Sequence, residues 1–183
     1  MNDTYDVLAL GELLIDFTPT GETETYVANP GGAPGNMAAA AARYGLDCGF
    51  IGAVGSDHFG RLLLDSLEGA AVGTDLVQIT DEAFTTLAFV SLQEDGEREF
   101  SFARKPGADS TLALTDELLE AVSRTTLLHF GTISLISEPA RGTTRSLVLE
   151  AGKQGKLVSF DPNLRESLWD TLEHAKEEIL WGI

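Results

Sequence analysis

Two rhythms of apolar positions run along the chain. Compact apolar runs at 5–10, 49–54, 126–131 and 156–161 have the length and content of buried strands. Between and after them lie stretches of helical period, at 34–44, 58–69, 115–124, 139–153 and 171–181. In the second of these, Leu62, Leu63 and Leu67 share a face. Strand and helix in alternation predict parallel βαβ units, with helices on both faces of a mainly parallel sheet.

Two regions break the rhythm. Leu13-Leu14-Ile15 and residues 24–29 read as short strands, and three strand candidates follow one another at 75–79, 84–93 and 97–104. Glu94-Asp95-Gly96 joins the last two as a hairpin signal. These segments, near 13–29 and 75–104, predict a small β appendage on the α/β layers. No Pro-, Ser- or Gly-rich linker divides the 183 residues, so one domain is expected.

The net charge of −17 works against nucleic-acid and anionic-membrane partners, which call for clustered Lys and Arg. The single cysteine, Cys48, has no partner for a disulfide and fits a reducing, cytoplasmic setting. The first residues are acidic where a signal peptide is basic, and no apolar run approaches membrane-spanning length. His58, His129 and His174 lack metal-ligand spacing, and His129 reads as a core histidine. Neither GxxxxGK[ST] nor GxGxxG occurs.

Candidate chemistry gathers at strand ends. In Gly31-Gly32-Ala33-Pro34-Gly35-Asn36 the glycines allow a sharp turn and a close backbone approach to a ligand, and Asn36 projects an amide from the first helical turn. Taken alone, the stretch is equally an ordinary strand–helix turn. Asp16 follows an apolar run, where the end of a strand presents a carboxylate able to accept from two hydroxyls; a surface turn is the alternative. Arg98, Phe100, Phe102 and Arg104 share one strand face, that of a lid or of a half-buried hairpin. Asp161-Pro162-Asn163-Leu164-Arg165 again places polar groups after a strand, as a binding loop or as a capped turn.

The order of these motifs is more informative than any one of them. Gly11-Glu12 with Asp16, the 31–36 segment, Ile51-Gly52-Ala53-Val54-Gly55-Ser56-Asp57 and Asp161-Pro162-Asn163-Leu164-Arg165 together resemble the opening of PfkB (ribokinase-like) sugar kinases. Thr85 to Val90, Asp95 to Phe100 and the run His129 to Leu135 resemble the lid and sheet of the fructokinases within that family. The resemblance covers nearly the whole chain. It implies a layered α/β/α ribokinase-like domain with a small β-sheet lid, and transfer of the ATP γ-phosphoryl group to a primary hydroxyl of fructose or a related sugar. It places sugar contacts at Asp16, Gly31, Gly32, Asn36, Phe102, Arg104, Asp161, Asn163 and Arg165. It also implies Mg with the ATP, and a homodimer paired through the lids.

The family's Gly-Ala-Gly-Asp segment, which holds the catalytic base and the anion hole, is not among these residues, nor is its Asn-x-x-Glu segment. The base and the ATP-binding elements are therefore expected beyond Ile183, in a domain truncated here at its C-terminus. Three further readings stay open: a 2-keto-3-deoxygluconate kinase, another ribokinase relative, or a non-catalytic sugar-binding or interaction fragment.

Overall fold

A computed structural model describes residues 4–21, 23, 25–92 and 98–183. The turn expected at Glu94-Asp95-Gly96 lies outside the described residues. The main sheet contains β1 (Tyr5–Leu10), β4 (Cys48–Gly55), β5 (Val72–Gly73), β6 (Val77–Thr80), β9 (Thr125–Gly131) and β10 (Leu157–Asp161). Its strands run in the order β10-β9-β1-β4-β5, β6 also pairs with β4, and every pairing is parallel. The helices α1 (Ala33–Arg43) and α2 (His58–Gly69) cover one face, around Phe50, Leu63 and Ala38. Covering the other face, around Phe130, Leu128 and Leu147, are α3 (Asp116–Ser123), α4 (Ala140–Lys153) and α5 (Leu172–Gly182). Sequence explains the central strands well: β4 is buried at every position, as a parallel strand covered on both faces must be.

A second sheet stands beside this sandwich. It contains β2 (Leu14–Pro19), β3 (Tyr26–Gly31), β7 (Thr86–Leu92) and β8 (Arg98–Ala103), in the order β3-β2-β7-β8. Two expectations change here. Residues 77–80, grouped above with the appendage, pair with β4 and extend the main sheet instead. Asp16, expected at the C-terminal end of a strand, lies inside β2 and pairs with Asn29 and Ala88. Local patterning cannot separate these cases, because a short strand's sheet is chosen by register with distant segments.

Strand β10 pairs with β9 and lies at the edge of the main sheet. Leu157 and Val158 point to opposite faces and are both exposed, as are Leu172 and Leu180 on α5. An apolar edge strand is a template for association. The 183-residue chain should therefore sediment as a concentration-dependent oligomer, and the double variant L157K/V158K should shift toward monomer. A monodisperse parent would show that this edge is blunted by other means.

Candidate functional site

Between the small sheet and the C-terminal ends of the main strands lies a cavity of about 170 Å³. It is lined by Glu12, Leu14 and Asp16, by Gly32, Ala33 and Asn36, by Phe100 and Phe102, and by Ile133, Asn163 and Arg165. Pockets for drug-sized ligands hold about 300–1,000 Å³, so this one suits a smaller, polar molecule. Larger clefts exist elsewhere. One of 480 Å³ between α1 and α2 is lined mainly by small and aliphatic residues. One of 540 Å³ opens at the N-terminal ends of β1 and β4, opposite the end where open α/β sheets bind ligands.

The floor of the cavity is set by two glycines. A Cβ on Gly31 would come within 2.3 Å of the Asp16 carboxylate, so a side chain there would push that carboxylate out of its place. Gly32 has φ 117°, and a Cβ there would meet the carbonyl oxygen of Glu12 at 2.3 Å. Gly32 thus needs both the left-handed freedom of glycine and its lack of bulk. It turns the chain so that α1 begins with its N–H groups at the cavity.

Asp16 is half-buried in β2. Burial pushes its carboxyl up from the usual range, and the nearby Arg165 guanidinium draws it back down. Arg165 is itself held in place: Nη1 donates to Asn163 Oδ1 at 2.6 Å, and its Cζ lies 5.3 Å from the centre of the Phe100 ring. This cation–π contact links the β10–α5 loop to the small sheet. Asn163 is anchored in turn, its carbonyl accepting from Thr132 Oγ1 and its N–H donating to Asp161 Oδ1.

Glu12 is 3% exposed. Its Oε1 accepts the Ala33 N–H at 3.0 Å, capping the first turn of α1, while Oε2 has no partner among the described residues. Burial pushes this carboxyl up to about 7. Close by, Arg104 and Asp109 form an ion pair at 2.7 Å with side chains only 6% and 1% exposed. Asp109 also accepts from Thr86 Oγ1, and Arg104 Nη2 donates to the Ile133 carbonyl.

The structure brings together six of the nine residues expected from sequence: Asp16, Gly32, Asn36, Phe102, Asn163 and Arg165. Gly31 acts from behind Asp16, Asp161 orients the loop, and Arg104 is bound to Asp109 rather than lining the cavity. Buried in β9, His129 has Nδ1 3.0 Å from Ser159 Oγ, and burial lowers its pKa.

Residues 4–181 match the family model for "pfkB family carbohydrate kinase". The chain belongs to the pfkB carbohydrate kinase family. It is 44% identical over 180 residues to Fructokinase-1 of Oryza sativa subsp. japonica, covering 95% of this chain and 56% of that protein. It is 44% identical over 181 residues to Fructokinase-1 of Zea mays, with the same coverage. Among solved structures, Xylella fastidiosa fructokinase with bound ATP superimposes with TM-score 0.88 at 36% identity, over 100% of this chain and 55% of that one. Vibrio cholerae O395 fructokinase in its fructose, ADP and calcium ion bound form gives TM-score 0.83 at 32% identity, over 98% and 57%. The chain therefore spans about half the length of the curated relatives it matches.

Within this pfkB-family chain, sequence reasoning left Glu12 and Phe100 out of the site. Phe100 was legible, since it shares a strand face with Phe102 two residues on. The signal for Glu12 was a lone carboxylate amid the apolar run Leu10 to Ile15, where an ionisable side chain needs a reason to be buried. Among the described residues, no three His, Cys, Asp or Glu side chains gather as a metal site.

Proposed function

We propose that this chain supplies the sugar site and lid of an ATP-dependent sugar kinase of the fructokinase type, acting on a primary hydroxyl of fructose or a related sugar. One observation carries the reading. Asp16, Arg165, Asn36 and Asn163 converge on a single small cavity roofed by Phe100 and Phe102, in a chain 44% identical to plant fructokinases.

The chemistry of these residues is binding and orientation. The Asp16 carboxylate can accept from two neighbouring hydroxyls, which fixes one edge of a sugar ring. Arg165 and Asn163, which also line the cavity, can donate to further hydroxyls. The aromatic pair Phe100 and Phe102, with ring centres 6.1 Å apart, offers an apolar cover that keeps water from the acceptor hydroxyl. ATP would supply the phosphoryl group. Among the described residues no three His, Cys, Asp or Glu side chains gather to hold a metal. The nucleotide and metal sites, with the base, are proposed to come from residues after Ile183.

On the outer side of the lid, Phe89 stacks on Phe17 at 5.0 Å and meets Tyr26 edge-on, while Tyr26 and Phe89 remain exposed. Such an aromatic face is an interaction surface, consistent with a homodimer through the lids. A cytoplasmic setting is part of this proposal, supported by the single cysteine, which leaves no internal disulfide to form.

The test is Asp16→Ala. Loss of a charged acceptor is worth about 1.5–3 kcal/mol, so fructose affinity by calorimetry should fall about 10- to 100-fold. Unchanged affinity would remove Asp16 from the site. A second expectation concerns the 183 residues assayed alone with fructose and ATP. They should release no sugar-dependent ADP, because the Gly-Ala-Gly-Asp segment is not among them; measurable turnover would mean that the base lies within this sequence.

A further inference from the structure

Glu12 is anomalous in this fold. It is 3% exposed, lines the cavity and has one oxygen with no hydrogen-bond partner among the described residues. Buried polar atoms in native proteins are nearly always satisfied, so an orphan at a binding site calls for a role. Its position supplies one. Oε1 takes the N–H of Ala33, and the Glu12 carbonyl is the surface against which Gly32 is pressed. The corner between β1 and β2 thereby holds the loop that carries Gly32 and Asn36 to the cavity.

We propose that Glu12 is a positioning residue of the sugar site, which holds the Gly32–Asn36 turn in its binding geometry through Ala33 and does so as the neutral acid. The inference rests on the sugar-site reading above. Its physical basis is the number of partners. A carboxylate offers about four acceptor positions and is stable in an apolar setting only when most are filled. Here the side chain takes the Ala33 N–H on Oε1, its own backbone N–H also favours the charged form, and Oε2 is still without a partner among the described residues. The charged groups that act on Glu12 are Asp109, which opposes ionisation, and Arg104, which favours it. The two are bound to each other at 2.7 Å, which leaves Arg104 a weak partner for a third group. Ionised, Glu12 must draw in water or turn away, and either movement shifts the first turn of α1. As the neutral acid, it keeps the Ala33 bond and carries a proton on Oε2, removing the buried charge.

Burial raises the carboxyl to about 7, so the neutral fraction falls about tenfold between pH 6 and pH 8. Fructose affinity of the parent chain, measured by calorimetry at both pH values, should fall by the same factor of about ten. In Glu12→Gln the amide oxygen keeps the Ala33 bond and no proton is lost. That variant should bind fructose with equal affinity at both pH values. A readout without sugar is the Ala33 amide resonance, which should titrate near neutrality in the parent and stay flat in E12Q. Equal parent affinity at pH 6 and 8, an E12Q that follows the parent's pH profile, or an Ala33 amide that does not titrate in the parent would each overturn the role of Glu12, leaving the sugar site standing. A parent that binds no fructose at either pH would instead overturn the sugar-site reading, and this inference with it. Should E12Q fail to fold, the parent's Ala33 titration and two-pH affinities decide the matter alone.

Discussion

Asp109→Ala should destabilise the fold by about 3–5 kcal/mol, the cost of leaving a buried charge without its partner. The Arg104–Asp109 pair is nearly closed to water, with side chains 6% and 1% exposed. Asp109 accepts from Arg104 Nε at 2.8 Å as well as from Nη2, and its other oxygen takes the Thr86 hydroxyl. This one carboxylate ties the start of β7 to the chain that leaves β8, and Arg104 carries the tie to the Ile133 carbonyl beside the main sheet. Its loss strands a guanidinium in the interior and loosens the small sheet where it joins the main one. Domains are stable by about 5–15 kcal/mol, so the variant should be close to unfolding. Urea denaturation of parent and variant measures the difference. An apolar replacement of both partners, R104M/D109L, should recover much of the loss, because the pair's attraction roughly offsets the cost of desolvating it. A loss under 1 kcal/mol would mean that water reaches Arg104 when Asp109 is removed. The expected sugar contact from Arg104 needs the same experiment. If Arg104→Met lowers fructose affinity only in step with stability, the residue supports the site without touching the ligand.

Glu12→Gln should change how stability depends on pH, by about 3 kcal/mol across the range in which Glu12 titrates. The sign follows from proton counting. Burial lifts the folded-state carboxyl to about 7 from its ordinary 4.5. Between these values the folded chain holds a proton that the unfolded chain has lost. Stability from this group is therefore fully present below about pH 4.5 and is lost as pH rises to about 7, with no further change above. Self-repulsion from a net charge of −17 also grows as carboxyls ionise, so the parent profile alone mixes two effects. The difference between E12Q and parent isolates one. That difference should favour E12Q increasingly from pH 4.5 to 7 and then level off. A difference constant with pH would show that Glu12 ionises normally.

Sequence alone determined the layers of this protein. The all-buried β4 and the helices α1 to α5 each bear a local pattern of period and length, and three of the helices a capping residue as well. Asp57 at the start of α2, Thr115 before α3 and Thr171 before α5 each accept a backbone N–H of the first turn, as a short polar residue at a helix start should. Most of the candidate site was legible for the same reason: Asn36, Asn163 and Arg165 follow strand ends, and Gly32 lies in a turn that demands glycine. Tertiary structure decided what depends on distant partners. It moved residues 77–80 from the expected appendage to the main sheet, placed Asp16 inside β2, and joined the Arg104–Asp109 pair to Thr86 and Ile133. It also left Glu12 with one oxygen bonded and the other without a partner among the described residues. Residue type and spacing record what a segment prefers locally. Which sheet a short strand joins, and which neighbour a buried charge finds, depend on contacts across tens of residues, and the free energies that settle them appear only when the chain has closed on itself.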